Sequence, residues 1–277
     1  MGSFDADSFA ASLLADLESG RLDLPTLPEV ALRVRDAVED ESTSAGEVAD
    51  AIASDTALSA RLLQIVNSPL YRGRQPIDNL RTAVARLGYA QVRNLVTSLA
   101  MRQMFQATDE ILDRYLWELW EHSVEVASIS ATLARSAGLP RDQAMLAGLI
   151  HDVGALPILA RAEEEPALLA DEALLGQTLR ALHTGVGAGM LRAWDFPEPL
   201  VAVAAEHEDL QRDPGGPADL VDLVIAANLQ SRLGRPHPLG SVDWATVPAF
   251  ARLGIDTEVE IVEIGGAGEL QAILGTG

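Results

Sequence analysis

An all-α fold is predicted for this chain of 277 residues on three observations. Apolar side chains recur at three- and four-residue intervals in segment after segment, the spacing of one helix face. Ser, Thr, Asp and Asn stand where those segments begin, and Gly or Pro where they end. No stretch alternates with the two-residue period of a half-buried strand, and no repeat of about 20–50 residues is present.

The first helix is expected through residues 4–18, with Phe9, Leu13, Leu14 and Leu17 on one face, and Gly20 ends it. Leu24-Pro-Thr-Leu-Pro28 is a stiff connector, because each proline drives its predecessor towards an extended backbone. Pro28 suits the first turn of a second helix, whose apolar face is Val30, Leu32, Val34 and Val38. Ser44 and Glu47 stand in capping-box register for a third, with Val48, Ala51 and Ile52 inward. Asp55 caps a fourth carrying Leu58, Leu62, Leu63, Ile65 and Val66, and Asn67-Ser-Pro69 stops it. Pro76-Ile-Asp78 leads into a fifth with Leu80, Ala83, Val84 and Leu87, closed by Gly88. A sixth covers 91–105.

From Asp109, a good cap, a long helix runs towards Ser136 and contains His122. Its Trp117 and Trp120, three apart, are expected in the core. Gly138-Leu-Pro140 breaks the chain, and a helix over 141–159 follows, which Pro157 should kink or end. Glu163-Glu-Glu-Pro166 is an acidic connector. Shorter helices over 172–182, 183–194 and 197–206 come next, then the loop Arg212-Asp-Pro-Gly-Gly-Pro217. A helix over 219–233 holds Asn228, and a last amphipathic segment covers 257–274. The pattern divides into a short-helix bundle (1–107), a longer-helix region with the histidines (108–240) and a C-terminal helical tail (241–277). Its linkers are too short for the first two to swing independently.

Composition narrows the function. Apolar residues make up 48% of the chain, and the 41 acidic against 20 basic residues give a net charge of −21. Every basic residue is arginine, and cysteine is absent. Without cysteine there are no disulfides or thiolate metal sites, which fits a cytoplasmic location. The acidic field opposes unspecific binding to phosphate backbones and to acidic lipid, so neither a nucleic acid nor a membrane is the expected partner. No apolar run reaches about 18 residues, so no membrane span is expected.

The chemistry centres on Leu146-Ala-Gly-Leu-Ile-His-Asp-Val-Gly154. His151 and Asp152 stand side by side on an otherwise apolar helix, and both are good metal ligands that are costly to bury unpaired. Four more histidines lie elsewhere, and at least three can converge on the pair. The duller readings are a hydrogen-bonded core imidazole at His122, a His151–Asp152 polar clamp, a helix-start role for His183, and a solvated acidic face at 206–209. His237, between prolines in a turn, reads as incidental.

Several blocks together carry a family likeness: Leu24-Pro-Thr-Leu-Pro-Glu-Val30, the stretch from Ile52 to Tyr71 ending in Asn67-Ser-Pro69, and Thr82-Ala-Val-Ala-Arg-Leu-Gly88. Gly148-Leu-Ile-His-Asp-Val-Gly154 and Ala226-Ala-Asn228 continue it. Over about residues 20 to 235 the chain resembles an HDOD domain, a relative of the HD metal-dependent phosphohydrolases. The resemblance implies a multi-helix fold, a bundle of short helices packed on an HD-like helical core, and a role in bacterial signalling.

The resemblance also implies a ligand set. His122 matches the first ligand of an HD site and His151–Asp152 the doublet, while Asn228 takes the place of the final aspartate. That exchange removes a charge and leaves a weaker neutral oxygen for a hard cation. His183 and His207 match further histidines of the two-metal HD-GYP relatives, with Glu206 in place of the first of a histidine pair. The Gly-Tyr-Pro signature is absent, and Ala155 replaces a lysine that could contact phosphate.

Two functions follow. The first expectation is a non-catalytic regulatory module acting through a signalling protein partner, or as a homo-oligomer, with a vestigial site at His122, His151, Asp152 and Asn228 and no required cofactor. The alternative is a metal-dependent phosphohydrolase acting on a nucleotide or cyclic dinucleotide, with Mn, Fe, Ni or Zn also held by His183 and His207. Arg72 with Arg74, or Arg86 with Arg93, would be local sites for an anion.

Overall fold

Side-chain caps start six of the α-helices among the described residues. In this computed structural model, which describes residues 5–40, 42–71, 73, 75–106, 110–233, 235, 237–257 and 267–275, every regular element among the described residues is helical. Asp5 caps α1 (Ala6–Glu18), Ser44 and Glu47 form the capping box of α3 (Ala45–Ala53), and Asp55 caps α4 (Thr56–Asn67). Asn79 caps α5 (Leu80–Leu87), and Pro28 stands just outside α2 (Glu29–Glu39) rather than in its first turn. Gly88, at φ +83°, both ends α5 and opens α6 (Tyr89–Ala100), which continues as a 3₁₀ turn to Met104.

The Asn67-Ser-Pro69 block closes a loop. The Asn67 amide donates to the carbonyls of Leu63 and Ile77, and its oxygen accepts from Ile77 N–H at 2.8 Å. One side chain thus serves a helix end and the far side of the loop together. α2, α3, α5 and α6 pack on one another, and α6 also lies against α8 (Arg141–Ile150), joining the short helices to the histidine-bearing ones.

The long α7 (Glu110–Ala137) packs against α8, α13 (Leu220–Arg232) and α15 (Ala267–Gly275). Trp120 is buried, but Trp117 is 51% exposed, contrary to expectation, because it lies on the outer face of α7. The expected 141–159 helix is two helices, α8 and α9 (Ala155–Ala162), broken at the doublet and not at Pro157. Pro157 falls in the first turn of α9, where no intrahelical N–H is needed, so it costs nothing there. After the short α10 (Pro166–Leu169), α11 (Glu172–Ala193) runs unbroken through His183, which is therefore not at a helix start.

α12 (Glu198–Glu206) packs on α11, and α1 reaches across the chain to α11, where Leu17 covers Gly189. The short α14 (Pro248–Leu253) lies on α13 through buried Asp222, which accepts from both Arg212 and Arg252. The single stretch among the described residues long and apolar enough to cross a membrane is Arg141–Ala162, and 83% of its most apolar window is buried. That stretch exceeds the apolar run expected from the sequence because it joins α8 and α9 across the doublet. The expected Asp109 cap, the Arg72–Arg74 pair and the first part of the 257–274 segment lie outside the described residues.

Candidate metal centre

Two glycines set the doublet against its neighbours. A Cβ on Gly148 would stand 2.5 Å from Ala127 Cα, so α8 meets α7, the helix of His122, backbone to backbone. A Cβ on Gly154 would stand 2.0 Å from the carbonyl oxygen of His183 and 2.4 Å from Gly187 N, so the turn after the doublet meets α11 the same way. A side chain at either position would push one histidine-bearing helix out of reach.

This packing brings four imidazoles onto one carboxylate. Asp152 Oδ2 lies 3.3 Å from His151 Nε2 and 3.8 Å from His122 Nε2. Its other oxygen, Oδ1, lies 3.2 Å from His207 Nε2 and 3.4 Å from His183 Nε2. The result is two groups of three sharing Asp152: His122, His151 and Asp152, and Asp152, His183 and His207, with the ligand atoms within each group no more than 4.8 Å apart. His151 and His207, at 0% and 1% exposure, are the most enclosed, and Asp152 is the side chain nearest to solvent.

Backbone carbonyls decide which ring nitrogen faces inward. His151 Nδ1–H donates to Gly148 O at 2.7 Å, His183 Nδ1–H to Leu179 O at 2.9 Å, and His207 Nδ1–H to Val203 O at 3.0 Å. Ser231 Oγ gives its proton to Asn228 O and lies 3.5 Å from His122 Nδ1, which favours the same tautomer there. With the Nδ1 protons so placed, each Nε2 of a neutral ring presents a lone pair. His122 and His151 Nε2 are 3.3 Å apart, as are His183 and His207 Nε2. Lone pairs face lone pairs and a carboxylate, an arrangement that needs positive charge among them.

Titration fits that need. Burial and the adjacent His151 hold His122 well below its ordinary pKa, so its ring favours the neutral, ligating form. Burial alone would raise Asp152, but positive charge and hydrogen bonds from the imidazole side, His151 foremost, outweigh it and hold the carboxyl well below its ordinary value. The carboxylate is therefore favoured where a protonated ring or a cation faces it. The donor set of imidazole and carboxylate without thiolate suits Mn, Fe, Ni or Zn. Three protein ligands per group would leave coordination positions of a bound cation open to water or a ligand.

Around the cluster lies a cavity of about 110 Å³, lined by His122, Asp152, His183, Asn228 and Ala155, with Arg180, Glu208, Arg232, His237 and Leu239 among the rest. Asn228 reaches the cavity and stands outside both groups of three, and its Oδ1 is buried without a hydrogen-bond partner. Glu206, matched above to one of a histidine pair, turns away to Arg212 at 2.5 Å. Its neighbour Glu208 faces the site, 3.9 Å from His183 Nε2. His237, read from the sequence as incidental, lines the cavity, as do Arg180 and Arg232. Arg180 precedes His183 by three residues and Arg232 follows Asn228 by four, so helical spacing is the signal that could have found both, which the sequence reading missed.

Known proteins share this frame. A Shewanella amazonensis protein proposed to be a metal-dependent phosphohydrolase has a crystal structure that superposes with a TM-score of 0.80 at 30% identity, over 97% of this chain and 99% of that one. An HDOD domain protein of unknown function from Geobacter sulfurreducens superposes at 0.69 with 26% identity, over 98% of each chain. Among curated sequences, an uncharacterised Treponema pallidum protein is 26% identical over 76% of this chain and 42% of its own length. Ribonuclease Y of Chlorobium chlorochromatii is 30% identical over 46% of this chain and 20% of its own length. The chain thus spans less than half the length of these curated relatives. A family model for the HDOD domain matches residues 24–210. That match covers more than half of the chain, and the chain belongs to the HDOD family.

Proposed function

We propose that this chain is a metal-binding HDOD module that hydrolyses phosphoesters in a signalling role. One observation carries the reading: four imidazole Nε2 atoms converge on the two oxygens of Asp152, with tautomers fixed so that their lone pairs face inward. His122 and His151 with Asp152 would hold one divalent cation, and His183 and His207 with the same carboxylate a second. Bound there, the cations supply Lewis-acid neutralisation of phosphate charge and a more acidic water. The likeness to a Shewanella protein proposed as a metal-dependent phosphohydrolase supports the chemistry.

The residues of the chain do the remaining work. The carbonyls of Gly148, Leu179 and Val203 orient the rings, and Asp152 ties the two groups together. Burial of the four rings among the helices lowers the local dielectric and strengthens each electrostatic contact. Protein loaded with Mn²⁺ is expected to turn over a generic phosphoester, and Asp152→Ala to abolish that turnover. Turnover that survives Asp152→Ala, or none in loaded wild type, would refute the hydrolytic reading.

A second reading keeps the module regulatory and non-catalytic, acting through a signalling partner or a second copy. Asn228 in place of an acidic residue and Ala155 in place of a basic one favour it, since both line the cavity and neither brings charge.

A further inference from the structure

The same cavity holds positive groups that bind nothing else. Arg180, on the exposed side of α11, and Arg232, at the end of α13, both line it, and neither forms an ion pair with the described residues. Arg232 Nε is buried without a hydrogen-bond partner. In a chain with a net charge of −21, two unpaired guanidinium groups at one small cavity are out of character. Nearby carboxylates are not lacking, since Asp152 and Glu208 line the same space.

His237 adds a donor of the opposite kind to the cluster histidines. Its Nδ1 accepts from Leu239 N–H at 3.2 Å, so the proton of the neutral ring sits on Nε2. The turn that carries it is folded tightly over the end of α13: a Cβ on Gly240 would stand 2.7 Å from Arg232 O and 2.5 Å from Arg235 O. His237 and Leu239 of this turn line the cavity. Ala155 lines the same cavity, so the position where a lysine could contact phosphate faces the space that the two arginines reach from other helices.

We propose that Arg180, Arg232 and His237 form a phosphoryl-binding set that replaces a basic residue at position 155, and that the cavity admits the terminal phosphate of a monoester. This rests on the phosphoesterase reading above and names its substrate class. At about 110 Å³ the space is well below that of sites enclosing a whole small molecule, roughly 300–1,000 Å³. A phosphoryl group enters, while the body to which it is esterified stays outside. Two guanidinium groups and an imidazole N–H match the three free oxygens and double charge of a terminal phosphate better than the two free oxygens and single charge of an internal diester.

Calorimetric titration of inorganic phosphate, AMP and a cyclic dinucleotide, with and without Mn²⁺, tests the proposal on wild type, Arg180→Gln, Arg232→Gln and Arg93→Gln. Arg93 belongs to a separate cavity of about 820 Å³ with Arg86 and Arg141, where Asp142 also lies. Phosphate and AMP should bind wild type more tightly than the cyclic dinucleotide, and each of Arg180→Gln and Arg232→Gln should weaken them about tenfold or more. Arg93→Gln should leave binding unchanged. Arg180 is exposed, so its variant reports binding even if Arg232→Gln unfolds, which a thermal melt reveals. Phosphate affinity that falls only in Arg93→Gln, is indifferent to both cavity arginines, or is below that for the dinucleotide overturns the proposal. Metal content measured on the same samples identifies failure of the metal reading separately, because the arginine dependence is read in both metal states.

Discussion

Gly154 and His183 meet backbone to backbone, with room for a hydrogen and none for a methyl: a Cβ on Gly154 would stand 2.0 Å from the His183 carbonyl oxygen. This contact joins the doublet to the second group of ligands. Gly154→Ala must push α11 away from Asp152, at a cost of about 1–3 kcal/mol for overpacking a rigid backbone contact. Gly185, on the same helix, has nothing within 4 Å of a Cβ. Gly185→Ala should therefore stabilise the protein by about 0.5–1 kcal/mol through helix propensity. Urea melts of the two variants should move in opposite directions, and equal shifts would refute the packing account.

Asp152→Ala removes the one group shared by both sets of ligands. Metal content should fall to background. In chelator-treated protein a ring can face the carboxylate favourably only by taking up a proton on Nε2, and the variant should lose about 1–3 kcal/mol because that charge-assisted hydrogen bond is removed. An unchanged melting temperature in the absence of metal would show that Asp152 makes no structural contribution of its own.

Asn228→Asp places a carboxylate where a buried amide oxygen now has no partner. The gain in charge should tighten Mn²⁺ binding on the order of tenfold, as changes beside a metal site commonly do. Without metal the variant should be less stable, since it buries an unpaired charge. A fluorescence melt with and without Mn²⁺ would show a larger metal-induced shift than in wild type. A smaller shift would place Asn228 outside the centre.

Away from the site, Asp219 caps α13 and pairs with Arg212 at 2.8 Å. Burial alone would raise its pKa, but the Arg212 hydrogen bond and charge, with the backbone N–H bonds, lower it below the ordinary 3.8. A carboxyl depressed on folding contributes stability that is fully present above its unfolded pKa and is lost as pH falls through the folded one. Asp219→Asn keeps a good cap but removes the charge. The variant should be less stable than wild type at neutral pH, and the gap should close as pH falls below about 3.8. A gap that widened in acid would contradict the sign of the shift.

The extent to which structure could be read from sequence follows a physical line. Local signals held where the chain supplies its own partners: the capping box at Ser44 and Glu47, the cap at Asp55 and the helix end at Gly88, at positive φ, were all legible. They failed where tertiary packing decides. The boundary expected between residues 182 and 183 is absent: Gly187 lies against Gly154 and α11 passes straight through. His122, His151 and Asp152 could be grouped by residue type and resemblance. The inward tautomers could not, because they depend on carbonyls offered by the folded helices. His237 was missed because the turn that carries it gains meaning only when folded over α13.

Five side chains, His122, His151, Asp152, His183 and His207, would hold two divalent cations through the carboxylate that the two groups share. The most direct measurement is metal content by mass spectrometry of protein purified without chelator and reloaded with Mn²⁺. About two ions per chain are predicted from the two groups of three ligands, falling to background in Asp152→Ala. A chain that retains no divalent metal under those conditions, while folded by its melt, would contradict the account.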